Sequence, residues 1–337
     1  MHVKKQEALK REINILYDLY NFRVMSIEQL VKRSTYTLGT MYHKVSDLQK
    51  RGLILAGDIR GFTVEGGRRG RYYRISNKGI TLLKEWGYDV TYTADDLRVS
   101  DYRVPILLET NDLFFDFSSQ GWSIMDSRAT KNVYELNRGD NLHGMITSPR
   151  HKKYPFYIFL NNTSDKHITR ISREVNRYSF SDIILFVNSK AIFQKVFVEM
   201  LREADIFTYR SFRILPLGFG KRYLLHYDDE ELLLDYLEDN YDLIVTSASK
   251  DKNSRDGFTT TVKYKGKKYY LVNMLDHNLS NIHHIHQYTN ERYERSGKRL
   301  LLLTDGTVNY PEFLRGNTSF IDFLQIDNRS LMAYPNK

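Results

Sequence analysis

The chain has no cysteine, six prolines and two tryptophans in 337 residues. Without a thiol there is no disulfide staple, no thiolate metal site and no cysteine nucleophile. No run of about 18 uninterrupted apolar residues occurs, so no membrane-spanning helix is expected. The opening MHVKKQEALK has no apolar stretch of a secretion signal. A cytoplasmic protein without membrane contact is the expectation. There is no Gly-Lys-Ser/Thr phosphate loop before a helix and no Gly-x-Ser-x-Gly elbow, which argues against nucleotide-driven motors and serine hydrolases. A rolling-circle relaxase would want a His-hydrophobe-His strand; the one such run, His284-Ile285-His286, falls in a segment read as a helix, although 25 tyrosines could supply a nucleophile.

The chain does contain a normal globular balance, 41% hydrophobic and 27% charged. At about 100–200 residues per domain, its length suggests two or three domains. The net charge of +9 is unevenly spread: residues 1–90 hold 17 Lys/Arg against 9 Asp/Glu, and the remainder 33 against 32. A basic module on a near-neutral body follows from that asymmetry.

In residues 1–90, Leu9, Ile13, Leu16, Leu19 and Tyr20 recur at helical spacing across Glu7–Tyr20. Ser26 is suited to cap a short helix from Ile27 to Lys32 or Arg33, by accepting from the amide near Gln29. A polar break at Ser34-Thr35 precedes a third helix, Thr37–Lys50, with Leu38, Met41, Tyr42, Val45 and Leu48 assigned to its inner face, and Arg51-Gly52 closing it. A strand over Leu53–Ile59, a loop of residues 61–71 rich in Gly and Arg, a strand over Tyr72–Ile75 and a helix over Ile80–Trp86 complete the module. It resembles the winged helix-turn-helix domains of bacterial regulators and plasmid proteins. That resemblance implies binding to double-stranded DNA. The outward residues Thr37, Thr40, His43, Lys44 and Asp47 of the third helix would enter the major groove, and Arg68, Arg69 and Arg71 of the wing would meet phosphates or the minor groove.

Residues 100–310 contain a repeated order of elements. Asp140–Tyr178 and Asp256–Tyr293 both begin with an Asp and a short strand, turn at a basic loop (Arg150-His151-Lys152 and Lys265-Gly266-Lys267), continue into an aromatic strand and end with a helix closing on Arg-Tyr. Continuous apolar strands follow at Ile183–Val187 and Leu300–Thr304. A helix and a strand precede each Asp: Ile106–Phe117 with Trp122–Met125, and Glu230–Leu237 with Asp242–Thr246. Each unit thus reads α-β-β-β-α-β. The expected architecture is a multidomain α+β/α/β chain: residues 1–90 a winged helix, 100–215 and 216–337 two restriction-endonuclease-like α/β units.

The order of elements resembles the PD-(D/E)xK nuclease core, whose active members place two carboxylates on divalent metal beside a lysine. In the first unit Asp140 is present, but Leu160-Asn161-Asn162-Thr163 supplies neither acid nor lysine. In the second, Asp256 and Asp276 could pair, but Asn278 stands at the lysine position. Both are read as degenerate scaffolds, a pseudonuclease body needing no cofactor or metal; if the second were active, Asp256 and Asp276 would carry it. His283 and His286, three apart beside His277 and His284, are weaker metal candidates than a solvated helix. The aromatic content (13%) points to core or subunit interface, with a stacking surface for unwound DNA as the alternative. Asp228-Asp229-Glu230-Glu231 suits a helix N-terminus.

A winged helix ahead of degenerate nuclease-like units resembles the replication-relaxation family of Gram-positive plasmids and mobile elements. The resemblance implies origin recognition in plasmid replication, by a dimer or other homo-oligomer working with replication proteins. A transcriptional regulator with a ligand- or partner-sensing body, and a metal-dependent nuclease, remain alternatives.

Overall fold

The computed structural model describes residues 2–63, 69–175, 177–178, 180–202, 211–228, 230–248, 258–314 and 319–334. The chain is a mixed α/β protein with 13 α-helices and three sheets among these residues. It divides into two compact units, residues 1–119 and 120–337. No helix among the described residues is long and apolar enough to cross a membrane.

The first unit holds α1 (His2–Phe22), β1 (Met25–Ser26), α2 (Ile27–Arg33), α3 (Leu38–Lys50), β2 (Ile54–Thr63), β3 (Arg69–Ile75), α4 (Asn77–Glu85) and α5 (Val104–Ser118). Its sheet has the order β1-β3-β2, antiparallel throughout. Ile13, Leu16 and Leu19 of α1, Leu30 of α2, Met41, Val45 and Leu48 of α3, and Leu83 of α4 form its core with Leu53 and Ile75. Three of the helix starts have a local cause in a side-chain cap. Ser26 and Gln29 form a reciprocal capping box, and Thr37 and Ser76 accept from Thr40 N and Gly79 N. Gly79 is required as glycine: a Cβ there would meet the Leu53 carbonyl at 2.4 Å.

One expectation is corrected. The helix anticipated at Ile106–Phe117 as the opening of the first nuclease-like unit is α5, and it packs into the first unit. Gln29 Nε2 donates to the Leu108 carbonyl at 2.7 Å, and Asn111 Nδ2 donates to that of Val24 at 2.7 Å. The Phe115 ring meets Phe22 edge-on at 4.7 Å, and Lys32 pairs with Asp116. Val99, Val104 and Leu108 cover Ile59 and Tyr72 of the hairpin. The segment after residue 90 therefore completes this unit. It also brings acid: residues 1–119 hold 19 Lys/Arg and 15 Asp/Glu, so the basic excess shrinks from +8 to +4.

The second unit contains two five-stranded sheets of one design. The first has β4 (Ser123–Asp126), β5 (Gly144–Thr147), β6 (Lys153–Phe159), β7 (Asp182–Val187) and β8 (Ser211–Pro216), with helices α6 (Ser127–Val133), α7 (Asp165–Val175) and α8 (Lys190–Arg202) between them. After α9 (Leu217–Tyr227) and α10 (Glu230–Asn240) come β9 (Leu243–Ala248), β10 (Thr260–Tyr264), β11 (Lys267–Asn273), α11 (Leu279–Gln287), α12 (Asn290–Ser296), β12 (Arg299–Thr304), β13 (Ile321–Gln325) and α13 (Asn328–Ala333). Both sheets keep their strands in sequence order. In each, the first three strands pair antiparallel and the last two join in parallel.

The two sheets share one hydrophobic core, in which Tyr157, Phe159, Leu185 and Phe212 meet Tyr270, Val272, Leu300 and Leu302. The halves meeting at residues 215–216 are thus one compact body. The fifth strands, β8 and β13, were not anticipated: their runs SFRILP and IDFLQ are short and interrupted by polar residues.

Candidate nucleic-acid interface

The stripe of α3 that faces the core is Met41, Val45 and Leu48, all buried. Leu38 and Tyr42, expected beside them, are exposed. At 100° per residue Tyr42 lies about 90° from the centre of that stripe, too far round to reach the core. The outermost residues of α3 are instead Gly39, His43, Ser46 and Lys50, with Tyr42 and Asp47 on either flank, all exposed. Space around Gly39 is open: a Cβ there would meet nothing within 4 Å.

Of the residues named from sequence, His43 and Thr40 are exposed on α3. Thr37 is the N-cap, and its hydroxyl is shared with Thr40 Oγ1 at 3.0 Å. Lys44 is corrected: it lies on the flank of the inner stripe, and its Nζ donates to Glu12 Oε1 at 2.7 Å. Its charge is committed to joining α3 to α1. Arg51 closes on the same carboxylate at 2.9 Å and on Asp47 at 3.0 Å. Arg71 is exposed on β3, 3.8 Å from Asp58. Arg68 lies outside the described residues, as does the Arg69 side chain.

The hairpin and α3 are neighbours. Burial raises the pKa of the Tyr73 hydroxyl on β3; nearby Arg71 opposes that shift, and Tyr42 of α3 adds to it. α3 packs against β2 of that hairpin. Tyr42 and Lys50, missed from sequence, are recovered by measuring angles from the buried stripe instead of grouping all apolar residues as core.

The second candidate set lies in the second unit. Asp256 lies outside the described residues. Asp276 follows β11, buried, with its Oδ2 3.1 Å from Arg213 Nε of β8. Burial raises the Asp276 pKa to about 6 against the opposing pull of Arg213. Arg213 also stacks over Tyr154 at 5.6 Å and lies 3.7 Å from Asp182. The carboxylate that would bind metal if this unit were active is instead paired with a cation that ties the two sheets together. Asn278, at the lysine position, caps α11 and accepts from Phe212 N at 3.0 Å. Asp140 sits in the loop before β5, not on the strand, and accepts from Arg177 at 2.9 Å. Beside it, the buried Glu174 accepts from Asn141 N, Tyr157 OH and Tyr178 OH.

The histidines do not converge. His283 Nε2 bonds Gln287 at 2.6 Å, His286 donates to the Phe313 carbonyl at 3.0 Å, and buried His277 bonds Tyr310 at 2.6 Å. Among the described residues, no three His, Asp or Glu side chains are grouped as metal ligands would be. Of the acidic run, Asp228 accepts from Tyr154 OH at 2.6 Å, and Glu230-Glu231 open α10 as expected. No family model, curated protein or solved structure matches this chain.

Proposed function

We propose that this protein is a sequence-specific reader of double-stranded DNA that acts in replication of a plasmid or mobile element, with a winged helix in its first unit and a duplicated, restriction-endonuclease-like body that does not cleave. The observation that carries the DNA reading is the exposed side of α3: a helix backed by α1 and α2 that presents Gly39, His43, Ser46 and Lys50, flanked by Tyr42, next to the β2–β3 hairpin that carries Arg71. A helix of 13 residues with small, polar and aromatic side chains on its free face suits the major groove, where histidine, serine and tyrosine can bond base edges. The replication role comes from the sequence resemblance. The non-cleaving body is supported by Asp276 being held by Arg213.

Footprinting of the DNA flanking the gene tests this reading. Several regularly spaced protected repeats are expected; a single protected palindrome over a promoter would favour a transcriptional regulator instead. Supercoiled DNA incubated with the protein and Mg²⁺ or Mn²⁺ should stay intact. Nicking abolished by Asp256→Ala would overturn the non-cleaving body.

A further inference from the structure

We infer that the β10–β11 hairpin is a second docking surface, for the phosphate backbone of duplex DNA, distinct in its residues from the α3 face. Between Asp256 and Asp276 the chain carries Lys263, Lys265, Lys267 and Lys268 and no acid. Residues Lys265 and Gly266 form a two-residue turn with φ of 47° and 77°, since Tyr264 pairs with Lys267. Two positive φ values match the twist of a tight hairpin and give it a fixed shape. All four lysines are exposed.

The register sets Lys263 directly opposite Lys268. Like charges facing each other across a ladder destabilise it. None of the four lysines forms an ion pair among the described residues. The nearest relief is indirect: Lys267 helps lower the pKa of Asp322, whose carboxylate already accepts from Arg299 at 2.8 Å. Lys265 sits over the Tyr264 ring at 5.0 Å, and Lys298 adds a fifth cation over Tyr270 at 4.4 Å. Among the described residues, folding thus concentrates charge at one tip with no carboxylate paired to it, and a polyanion would neutralise it.

The equivalent hairpin of the first sheet sharpens the point. Arg150, Lys152 and Lys153 lie between Asp140 and Asp165, again without an acid. There, however, Lys152 Nζ donates to the Asp228 carbonyl at 2.6 Å and Lys153 covers the Tyr134 ring at 5.5 Å. One of its lysines is thus hydrogen-bonded into the body, whereas among the described residues the four of β10–β11 make no such bond, Lys265 covering only the ring of its chain neighbour Tyr264. Duplex DNA fits this surface because neutralising phosphates releases counterions. An anionic membrane would call for a broad apolar face to insert, and the exposed apolar neighbour in the Lys263 row is Ile244 alone among the described residues.

The test uses the full chain and two readouts. In the wild type, amine-reactive labelling of Lys263, Lys265, Lys267 and Lys268 is measured with and without a 30-bp duplex of arbitrary sequence (a length of roughly three helical turns). Labelling should fall several-fold with DNA. The variant Lys265→Gln/Lys267→Gln/Lys268→Gln should then flatten the log–log dependence of affinity on salt by about two to three units. Unchanged labelling, or an unchanged slope in a variant that melts like the wild type, would overturn the inference. Protection by phosphatidylserine vesicles but not by DNA would do so as well. A parallel His43→Ala/Lys50→Ala variant keeps the two readings apart. Hairpin protection that survives loss of sequence preference there supports the hairpin alone. Lost preference with an unprotected hairpin supports α3 alone.

Discussion

Lys44 of α3 donates to Glu12 of α1 across 2.7 Å, and Arg51 reaches the other oxygen of that carboxylate at 2.9 Å. Burial would push Glu12 up, but the two cations hold its pKa below the usual carboxylate range. The clasp therefore contributes stability above the unfolded pKa of about 4.3 and loses it as pH falls below that value. Lys44→Met should cost about 1 kcal/mol of stability, a figure suited to a partly exposed pair. Its affinity for DNA, measured by fluorescence anisotropy, should stay within about twofold, whereas His43→Ala should weaken specific binding by roughly 1–2 kcal/mol. A tenfold loss of affinity in Lys44→Met would return this residue to the interface.

Gly39 separates stability from function. Its Cβ position is empty, so Gly39→Ala should raise helix stability by about 0.5–1 kcal/mol. On the proposed surface the added methyl stands between α3 and the groove, so specific DNA binding should weaken by roughly tenfold, about 1.4 kcal/mol. Thermal melting and anisotropy on the same sample check both halves. A stabilised variant with undiminished affinity would remove Gly39 from the interface.

Arg213 and Asp276 form a buried ion pair between the sheets. Asp276→Leu leaves Arg213 short of its main partner and should cost about 3–5 kcal/mol in urea unfolding. Arg213→Met/Asp276→Leu should recover most of that loss, because a well-packed apolar pair of similar volume is often neutral. A double variant as unstable as the single one would assign the junction a need for charge.

Asp276 and His277 oppose each other in pH dependence. The Asp276 pKa is raised by burial to about 6. The folded state therefore holds this proton more tightly, and stability falls as pH rises from about 4 to about 6. Buried His277 has its pKa lowered to about 4, chiefly by burial, with Asp305 opposing. Its folded state resists protonation, so stability is lost as pH falls from about 6.5 toward about 4. Relative to wild type, His277→Gln should gain stability at pH 5 compared with pH 7. Asp276→Asn should show the reverse trend. Two variants with parallel pH profiles would contradict these environments.

Much of the fold was legible in the sequence for local reasons. Ser26 with Gln29 fixes a helix start through side chains three residues apart, and Gly52, with its φ of 73°, ends a helix through its own backbone. The repeated strand order was legible because both basic turns and both apolar parallel strands are continuous in sequence. What stayed hidden depends on partners far along the chain. α5 reads as an amphipathic helix wherever it docks, and its place is set by Gln29 and Asn111 bonding across 79 and 87 residues. Lys44 looks like any outward cation until Glu12, 32 residues earlier, comes beside it. Asp276 matched a carboxylate pattern, and only the fold brings Arg213 to it.

DNA reading by α3 is tested most directly by selecting duplexes from a random pool with the full chain at about 0.15 M salt, alongside Tyr42→Ala/His43→Ala. The wild type should enrich one short motif. The variant should bind with a similar salt dependence but lose that motif's preference at one or two positions, by about 1–3 kcal/mol each. No enriched motif, or the same motif at full strength with the variant, would contradict the assignment of this face to DNA.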